Sequence, residues 1–248
     1  MFADLKNKVV VVTGGVTGIG GAASLGFAAE GAKVVAQYHA GGAELKTISA
    51  AGIDTVQLDL TEPRAAQTLI DTVILKYGRI DVLVNNAGSL VARTALDALD
   101  DAFIDKVFDL NCRQLIHCCR LAAGQMVKQK SGNIINVTSI AARNGASAGG
   151  SVYAGAKGFV SAFTKTIARE LVDHNIRVNC VSPGTIHTAF HDRFSTAEKR
   201  AAVAKAIPMQ RLGLAADCTG TFLFLASDEA SGYITGQVIE VNGGQLMP

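Results

Sequence analysis

A single α/β domain built on a doubly wound parallel sheet is the fold class this sequence predicts, and three observations carry it. Short β-branched runs alternate with amphipathic helical stretches along all 248 residues. A glycine-rich turn joins the first such run to the first helix. No Pro/Ser-rich linker, charge run or internal repeat divides the chain, so one domain spans 1–248. Seven strands are expected, all parallel, with helices on both faces of the sheet.

Val9-Val10-Val11-Val12 is β-branched and short, as suits a strand buried on both faces. It enters Thr13-Gly14-Gly15-Val16-Thr17-Gly18-Ile19-Gly20. A helical pattern continues to Glu30, and Gly31 stands in the position of a C-cap glycine. Lys33 to Gln37 reads as the second strand. Strand, glycine turn, helix, strand is a dinucleotide-binding unit. Its glycines let the backbone approach a pyrophosphate, and the helix N-terminus offers unpaired N–H groups. The glycines fall at 14, 18 and 20, not in the G-x-G-x-x-G spacing.

Thr55-Val56-Gln57-Leu58 is the third strand. Thr61 is the expected N-cap of the next helix, with Pro63 in its first turn and Tyr77 near its end. Ile80 to Val84 forms the fourth strand and leads into Asn85-Asn86-Ala87-Gly88. At the carboxyl edge of a parallel sheet those amides face the cofactor crevice. Residues 99–130 read as two helices meeting near Asn111, the second carrying a polar stripe of Arg113, His117 and Arg120. That stripe is either a solvated face or a polar strip inside a subunit contact. Ile134 to Val137 is the fifth strand and Ile176 to Val181 the sixth. The polar segment 185–206 leaves the sixth strand where a substrate lid would sit. A helix through Phe222-Leu223-Phe224-Leu225 precedes the last strand, Gly236 to Val241.

The chemistry concentrates between Ser139 and Lys157. Tyr153 and Lys157 are four residues apart, which on a helix places them on one face, one turn apart. A free phenol titrates near 10. A neighbouring ammonium favours the phenolate, so the pair predicts a Tyr pKa drawn down toward neutrality. Ser139, returned by a Gly/Ala-rich loop, can donate to the same substrate oxygen. The three form a site for moving a proton on or off an alcohol or carbonyl oxygen.

Composition narrows the function classes. Net charge is +2 and no Lys/Arg block exceeds two residues, so neither nucleic acid nor an anionic membrane is supported as a partner. No run reaches signal-peptide or membrane-span character, and a soluble cytoplasmic protein is expected. The cysteines at 112, 118, 119, 180 and 218 show no C-x-x-C spacing and read as buried free thiols. His187 and His191 have metal-compatible spacing but no evident third ligand, so no metal is expected. Apolar residues make up 49% and charged ones 18%. With helices at 111–127 and 153–171 apolar on more than one face, this predicts a homo-oligomer, a homotetramer of dihedral symmetry.

Assembled, these residues resemble the short-chain dehydrogenase/reductase family over essentially the full length. The carrying motifs are T-G-x-x-x-G-I-G (13–20), Asp59, N-N-A-G (85–88), Asn111, Ser139, Y-x-x-x-K (153–157) and P-G-x-I-x-T (183–188), in the family's order. The resemblance implies a Rossmann-type fold and hydride transfer between a carbinol carbon and a nicotinamide. It implies Tyr153 as general acid/base, Lys157 as the group that lowers its pKa and holds the nicotinamide ribose, and Ser139 as the polariser of the substrate oxygen. Asn111 is similar to the family's fourth catalytic residue, which holds a water linking Lys157 to solvent. Gly14, Thr17, Gly18, Ile19 and Gly20 would carry the pyrophosphate turn, and Asp59 with Leu60 the adenine edge. Asn86, Ala87 and Gly88 would pack along the cofactor, and Pro183, Gly184, Ile186 and Thr188 would lie at its nicotinamide end.

One position departs from the pattern. Family members that use NAD commonly have Asp where this chain has Tyr38, followed here by His39. With no acidic group to repel a 2′-phosphate, NADP is expected, with NAD as the alternative. The basic residue often seen before the second glycine in NADP users is Thr17 here. The substrate is expected to be small, either a 3-oxoacyl thioester or a sugar or polyol. The alternative is a non-catalytic dinucleotide-binding sensor or scaffold on the same fold.

Overall fold

The computed structural model describes residues 2–188 and 195–247. His191 and Arg193, part of the expected polar lid, lie outside the described residues. Seven parallel strands form the sheet in the order β3-β2-β1-β4-β5-β6-β9. They are β1 (Val9–Thr13), β2 (Lys33–Tyr38), β3 (Asp54–Gln57), β4 (Val82–Asn85), β5 (Gly132–Val137), β6 (Ile176–Pro183) and β9 (Val238–Val241). Two short strands, β7 (Ile186–His187) and β8 (Gly213–Leu214), pair with each other outside it.

The β-branched runs are explained by burial on both sides. Val9 and Val11 face one layer, with Leu69 and Val73 of α3 (Ala65–Tyr77), Leu115 and Met126 of α5 (Gln114–Gln129), and Val160 and Ile167 of α7 (Ser151–Leu171), which follows the one-turn α6 (Ala141–Asn144). Val10 and Val12 face the other. There Phe27 of α1 (Gly18–Ala29), Ile48 of α2 (Glu44–Ala50), and Phe222 and Leu225 of a helix over Ala215–Ala226 pack together. The order in which strands are added reverses between β1 and β4, which run parallel, and the crevice at that switch point is where ligands bind in such sheets.

Two local expectations change. Thr61 does not cap α3: its N–H and hydroxyl both donate to Asp59 Oδ1, at 2.9 and 2.6 Å, and the helix begins only at Ala65. Those bonds close a turn on Asp59, and Arg64, at φ +68°, stands in the left-handed region just before the helix starts. The last strand starts at Val238 rather than Gly236, whose φ of +72° is incompatible with a strand. The two helices of 99–130 do meet at Asn111. There α4 (Asp101–Phe108) passes into α5 through a π-helical turn over Asp109–Arg113. Arg113, His117 and Arg120 are solvent-exposed, and Arg113 pairs with Asp109. All five cysteines are buried free thiols. No helix among the described residues is long and apolar enough to cross a membrane.

Candidate active site

The side chains expected to be catalytic converge where β5 ends against α7. Lys157 is 4% exposed, and its Nζ donates to the Val137 carbonyl at 2.9 Å. Thr138 Oγ1 donates to the Lys157 carbonyl at 2.7 Å, which fastens that turn of α7 to the strand. Ser139 follows at once; its Oγ accepts from Ala141 N at 3.1 Å and hydrogen-bonds the Tyr153 hydroxyl. A serine at a strand end and a tyrosine two residues inside a helix therefore share one bond, while the lysine lies one turn deeper.

The electrostatics differ from the sequence expectation. Burial pushes the Tyr153 phenol up to about 12, with the Ser139 bond pulling the other way. Burial likewise pushes Lys157 down to about 8. Lys157 Nζ lies 5.8 Å from the Tyr153 ring centre and spends its hydrogen bond on Val137. Desolvation disfavours both charged forms and wins over attraction at that distance.

Asn111 sits behind this group, fully buried. Its amide nitrogen donates to Ser89 O at 2.8 Å and Val107 O at 2.9 Å, and its Oδ1 accepts from Ser89 N at 3.1 Å. A Cβ on Gly88 would stand 2.7 Å from Asn111 Oδ1 and 3.0 Å from Lys157 Nζ. Only glycine lets the segment after β4 pass between those two side chains.

One cavity of about 550 Å³ runs along the carboxyl edge of the sheet. At the β2–β3 end it is lined by Gln37, His39, Asp59 and Leu60. Gly14, Thr17, Gly18 and Ile19 follow at the start of α1, then Asn86, Ala87 and Gly88. Ser139, Tyr153, Lys157, Pro183, Gly184, Ile186 and Thr188 line the β5–β6 end. Gly14 and Gly18 hold φ of +60° and +53°, a backbone region open to glycine, so the turn presents main chain to the cavity. An amide-lined turn at a helix N-terminus, with acceptors at one end and a hydroxyl pair at the other, fits a nicotinamide dinucleotide.

Three expected residues do not line the cavity. Asn111 lies behind it, as described. Gly20 keeps the turn closed: a Cβ there would come within 2.2 Å of Gly14 O. Tyr38 points the other way, into the layer of Phe27 and Ile48, because alternation along β2 sends 37 and 38 to opposite faces. Its place is taken by Gln37, which sequence reading missed. Gln37 Oε1 accepts from Gly14 N at 3.0 Å and its Nε2 donates to Leu58 O at 2.6 Å, tying the glycine turn to β3. A polar side chain in an apolar strand run was the available signal. His39 Nε2 approaches Asp59 Oδ2 at 3.7 Å, and the Thr61 bonds hold Asp59 below the usual carboxylate range.

Comparison with known proteins agrees with this geometry. Residues 14–245 match the family described as enoyl-(acyl carrier protein) reductase. The chain is 38% identical to the 3-oxoacyl-[acyl-carrier-protein] reductase FabG of Thermotoga maritima, over 98% of this chain and 99% of that protein. It is 39% identical to the 3-oxoacyl-[acyl-carrier-protein] reductase of Synechocystis sp., over 98% of each. The structure is similar to that of NADH-dependent reductase A1-R′ complexed with NAD, with a TM-score of 0.87 and 35% identity over 100% of both chains. It is also similar to a short-chain type dehydrogenase/reductase from Mycobacterium marinum, with a TM-score of 0.89 and 31% identity over 100% of this chain and 98% of that one. A dinucleotide crevice ending in a Ser-Tyr-Lys group, on a chain so related throughout its length, is that of an NAD(P)-dependent oxidoreductase acting on CH–OH and keto groups: the chain belongs to the short-chain dehydrogenase/reductase family.

Proposed function

We propose that this protein reduces a ketone to a secondary alcohol, with Tyr153 as the proton donor. The observation that carries this is the Ser139–Tyr153 hydroxyl pair in the same cavity as the glycine turn. The protonated phenol is the donor that reduction requires. When bound, the nicotinamide supplies hydride to the carbonyl carbon. Ser139 donates to the carbonyl oxygen, and Tyr153 hands it the proton as negative charge builds there. Lys157 holds the ribose. Asn111 fixes the segment around Ser89 and so keeps Gly88 against Lys157, a positioning role that accompanies the water-holding role expected of it.

His39 and Asp59 lie at the adenosine end, where no Lys or Arg among the described residues lines the cavity. No carboxylate projects from the end of β2 to repel a 2′-phosphate, and His39 offers it a partner. This supports use of both cofactors with a modest bias to NADP. The substrate is a small ketone. A 3-oxoacyl thioester is suggested by the relatives' names and a sugar or polyol by the polar segment 185–206, whose Val203 reaches the cavity as part of a lid. The non-catalytic sensor or scaffold is not supported, because the relatives are reductases and the catalytic group is complete. We place the enzyme in the cytoplasm, where five free thiols are stable, as a homotetramer. Half-buried Phe159, Phe163 and Leu171 on α7 leave apolar surface for a subunit contact.

The test is a screen of ketones and polyols with NADH, NADPH and their oxidised forms, followed by nicotinamide absorbance. Reduction of ketones with either cofactor is expected. Cofactor binding without turnover of any ketone or alcohol would overturn the assignment.

A further inference from the structure

The segment between β4 and α4 is built with unusual care for a loop. Asn111 grips both the N–H and the carbonyl of Ser89. Ser89 Oγ accepts from Val91 N at 3.1 Å, and Ala92 N donates to Leu90 O at 2.8 Å across Val91. That closes a three-residue turn with Val91 at φ +67°, a strained region for a β-branched residue. Such strain persists only where the surroundings enforce it, and it gathers at functional sites. Its result is to turn the chain so that Arg93 reaches the cavity.

Arg93 is then fastened to the segment that precedes the catalytic helix. Thr94 N donates to Gly149 O at 3.0 Å. Arg93 Nη1 donates to Ala148 O at 3.1 Å and Ser147 O at 3.4 Å. Gly149, at φ +79°, lies so close that a Cβ on it would touch Arg93 Cβ at 3.0 Å. Tyr153 is four residues beyond Gly149, in the first turn of α7, and it lines the same cavity as Arg93. Arg93, Asn144 and Ser147 all line the cavity. Among the described residues lining it, Arg93 and Lys157 are the only Lys or Arg, and Lys157 is committed to the catalytic group.

We propose that Arg93 recognises an anionic group on the substrate, so that the preferred ketone is a short keto acid. A guanidinium matches a carboxylate in planar, two-point fashion, and a preorganised one loses little freedom on binding. The short span to Tyr153 suits a carboxylate a few bonds from the carbonyl. The phosphodiester of a pantetheine arm lies much farther from its thioester. Reduction places hydride from NAD(P)H on the carbonyl carbon and the Tyr153 proton on its oxygen, which gives the hydroxy acid. Solvent then reprotonates Tyr153. The inference rests on the reductase reading above and names the substrate class of that same site.

The test compares 3-oxobutanoate, its methyl ester and its pantetheine thioester in the wild type, Arg93→Gln and Arg93→Lys. The wild type should favour the acid over the ester by about tenfold or more in kcat/KM, mostly through KM. That ratio should fall to about one in Arg93→Gln and be partly kept in Arg93→Lys. An ester or thioester used as well as the acid by the wild type would overturn the proposal. So would a loss in Arg93→Gln that is equal for acid and ester, since a loop brace alone would give that result. A second arm needs no turnover: calorimetric binding of butanoate against butanamide to the wild type loaded with NAD(P)⁺. Tighter binding of butanoate, weakened by salt, supports the proposal, and equal or absent binding of both contradicts it. Failure of the reductase reading itself would show as no oxidation of NAD(P)H by acid, ester or thioester.

Discussion

The two ends of the cavity are held by different means. At the catalytic end Asn111 is 0% exposed, Lys157 4% and Thr138 2%, and each makes hydrogen bonds to the main chain. At the adenosine end the side chains of His39 and Asp59 are 73% and 34% exposed and meet at 3.7 Å. Buried, bonded groups resist change because moving one strands its partners without water. Exposed groups can be exchanged at little cost to the fold. On the proposed roles, the reaction is fixed in the interior and the choice of cofactor is set at the surface.

The largest effect should come from breaking the interior end. Lys157→Ala should lower turnover by roughly 10²–10⁴-fold and weaken cofactor binding through the lost ribose contact. Unaltered affinity in a titration of the variant would remove the second role.

Lys157 also makes a stability prediction. Its pKa in the folded protein is about 8, below the ordinary 10.5, so the unfolded chain binds more protons across that window. Stability conferred by the site therefore rises with pH from about 8 to 10.5. Buried thiols such as Cys118 and Cys180, raised to about 12, act in the opposite sense above pH 9. The measurement is thus a difference: denaturant unfolding of wild type against Lys157→Met. The wild type should gain on the variant by on the order of 3 kcal/mol across the window. A constant difference would mean that Lys157 is not held in a desolvated site.

Gly88→Ala tests the close approach directly. The new methyl would lie 2.7 Å from Asn111 Oδ1, so Asn111, Lys157 or the loop must shift. Turnover should fall by up to about 10²-fold, as ångström misplacements do, and the melting temperature should fall with it, since a displaced Asn111 strands its partners. Full activity would show that the catalytic end is more tolerant than its burial implies.

The smallest effect belongs to the exposed end. His39→Asp should turn preference toward NAD, since two like charges near 4 Å cost about 1–4 kcal/mol from water to a protein surface. Tyr38→Asp should shift it less, because that side chain faces the Phe27 layer. Cofactor-specific kcat/KM for both variants decides the matter. A larger shift at position 38 would mean that the end of β2 turns its side chain to the cofactor.

Much of this was legible in the sequence because it is periodic or local. The doubled burial of Val9 to Val12, the glycine turn and the i, i+4 Tyr–Lys spacing are statements about neighbours in the chain. What escaped depended on distant parts. Tyr38 faces away because the phase of β2, set by its pairing with β1, puts Gln37 on the cavity side. Thr61 does not cap, because Arg64 in the left-handed region delays the helix to Ala65. No residue type announces the positive φ of Val91, which Asn111 and Gly149 enforce from elsewhere in the chain. The Tyr153 phenol is raised, not lowered, because spacing says nothing of desolvation.

The most direct test of the account is Tyr153→Phe, read by turnover and cofactor binding together. The substitution removes one hydroxyl and keeps the ring that packs with Val107 and Cys112. Turnover should fall below a tenth of the wild-type value, more than about 1.4 kcal/mol of barrier, while the dissociation constants for both cofactors stay within about threefold. Turnover above a tenth of wild type would contradict the claim that the buried end of the cavity acts through the Tyr153 proton.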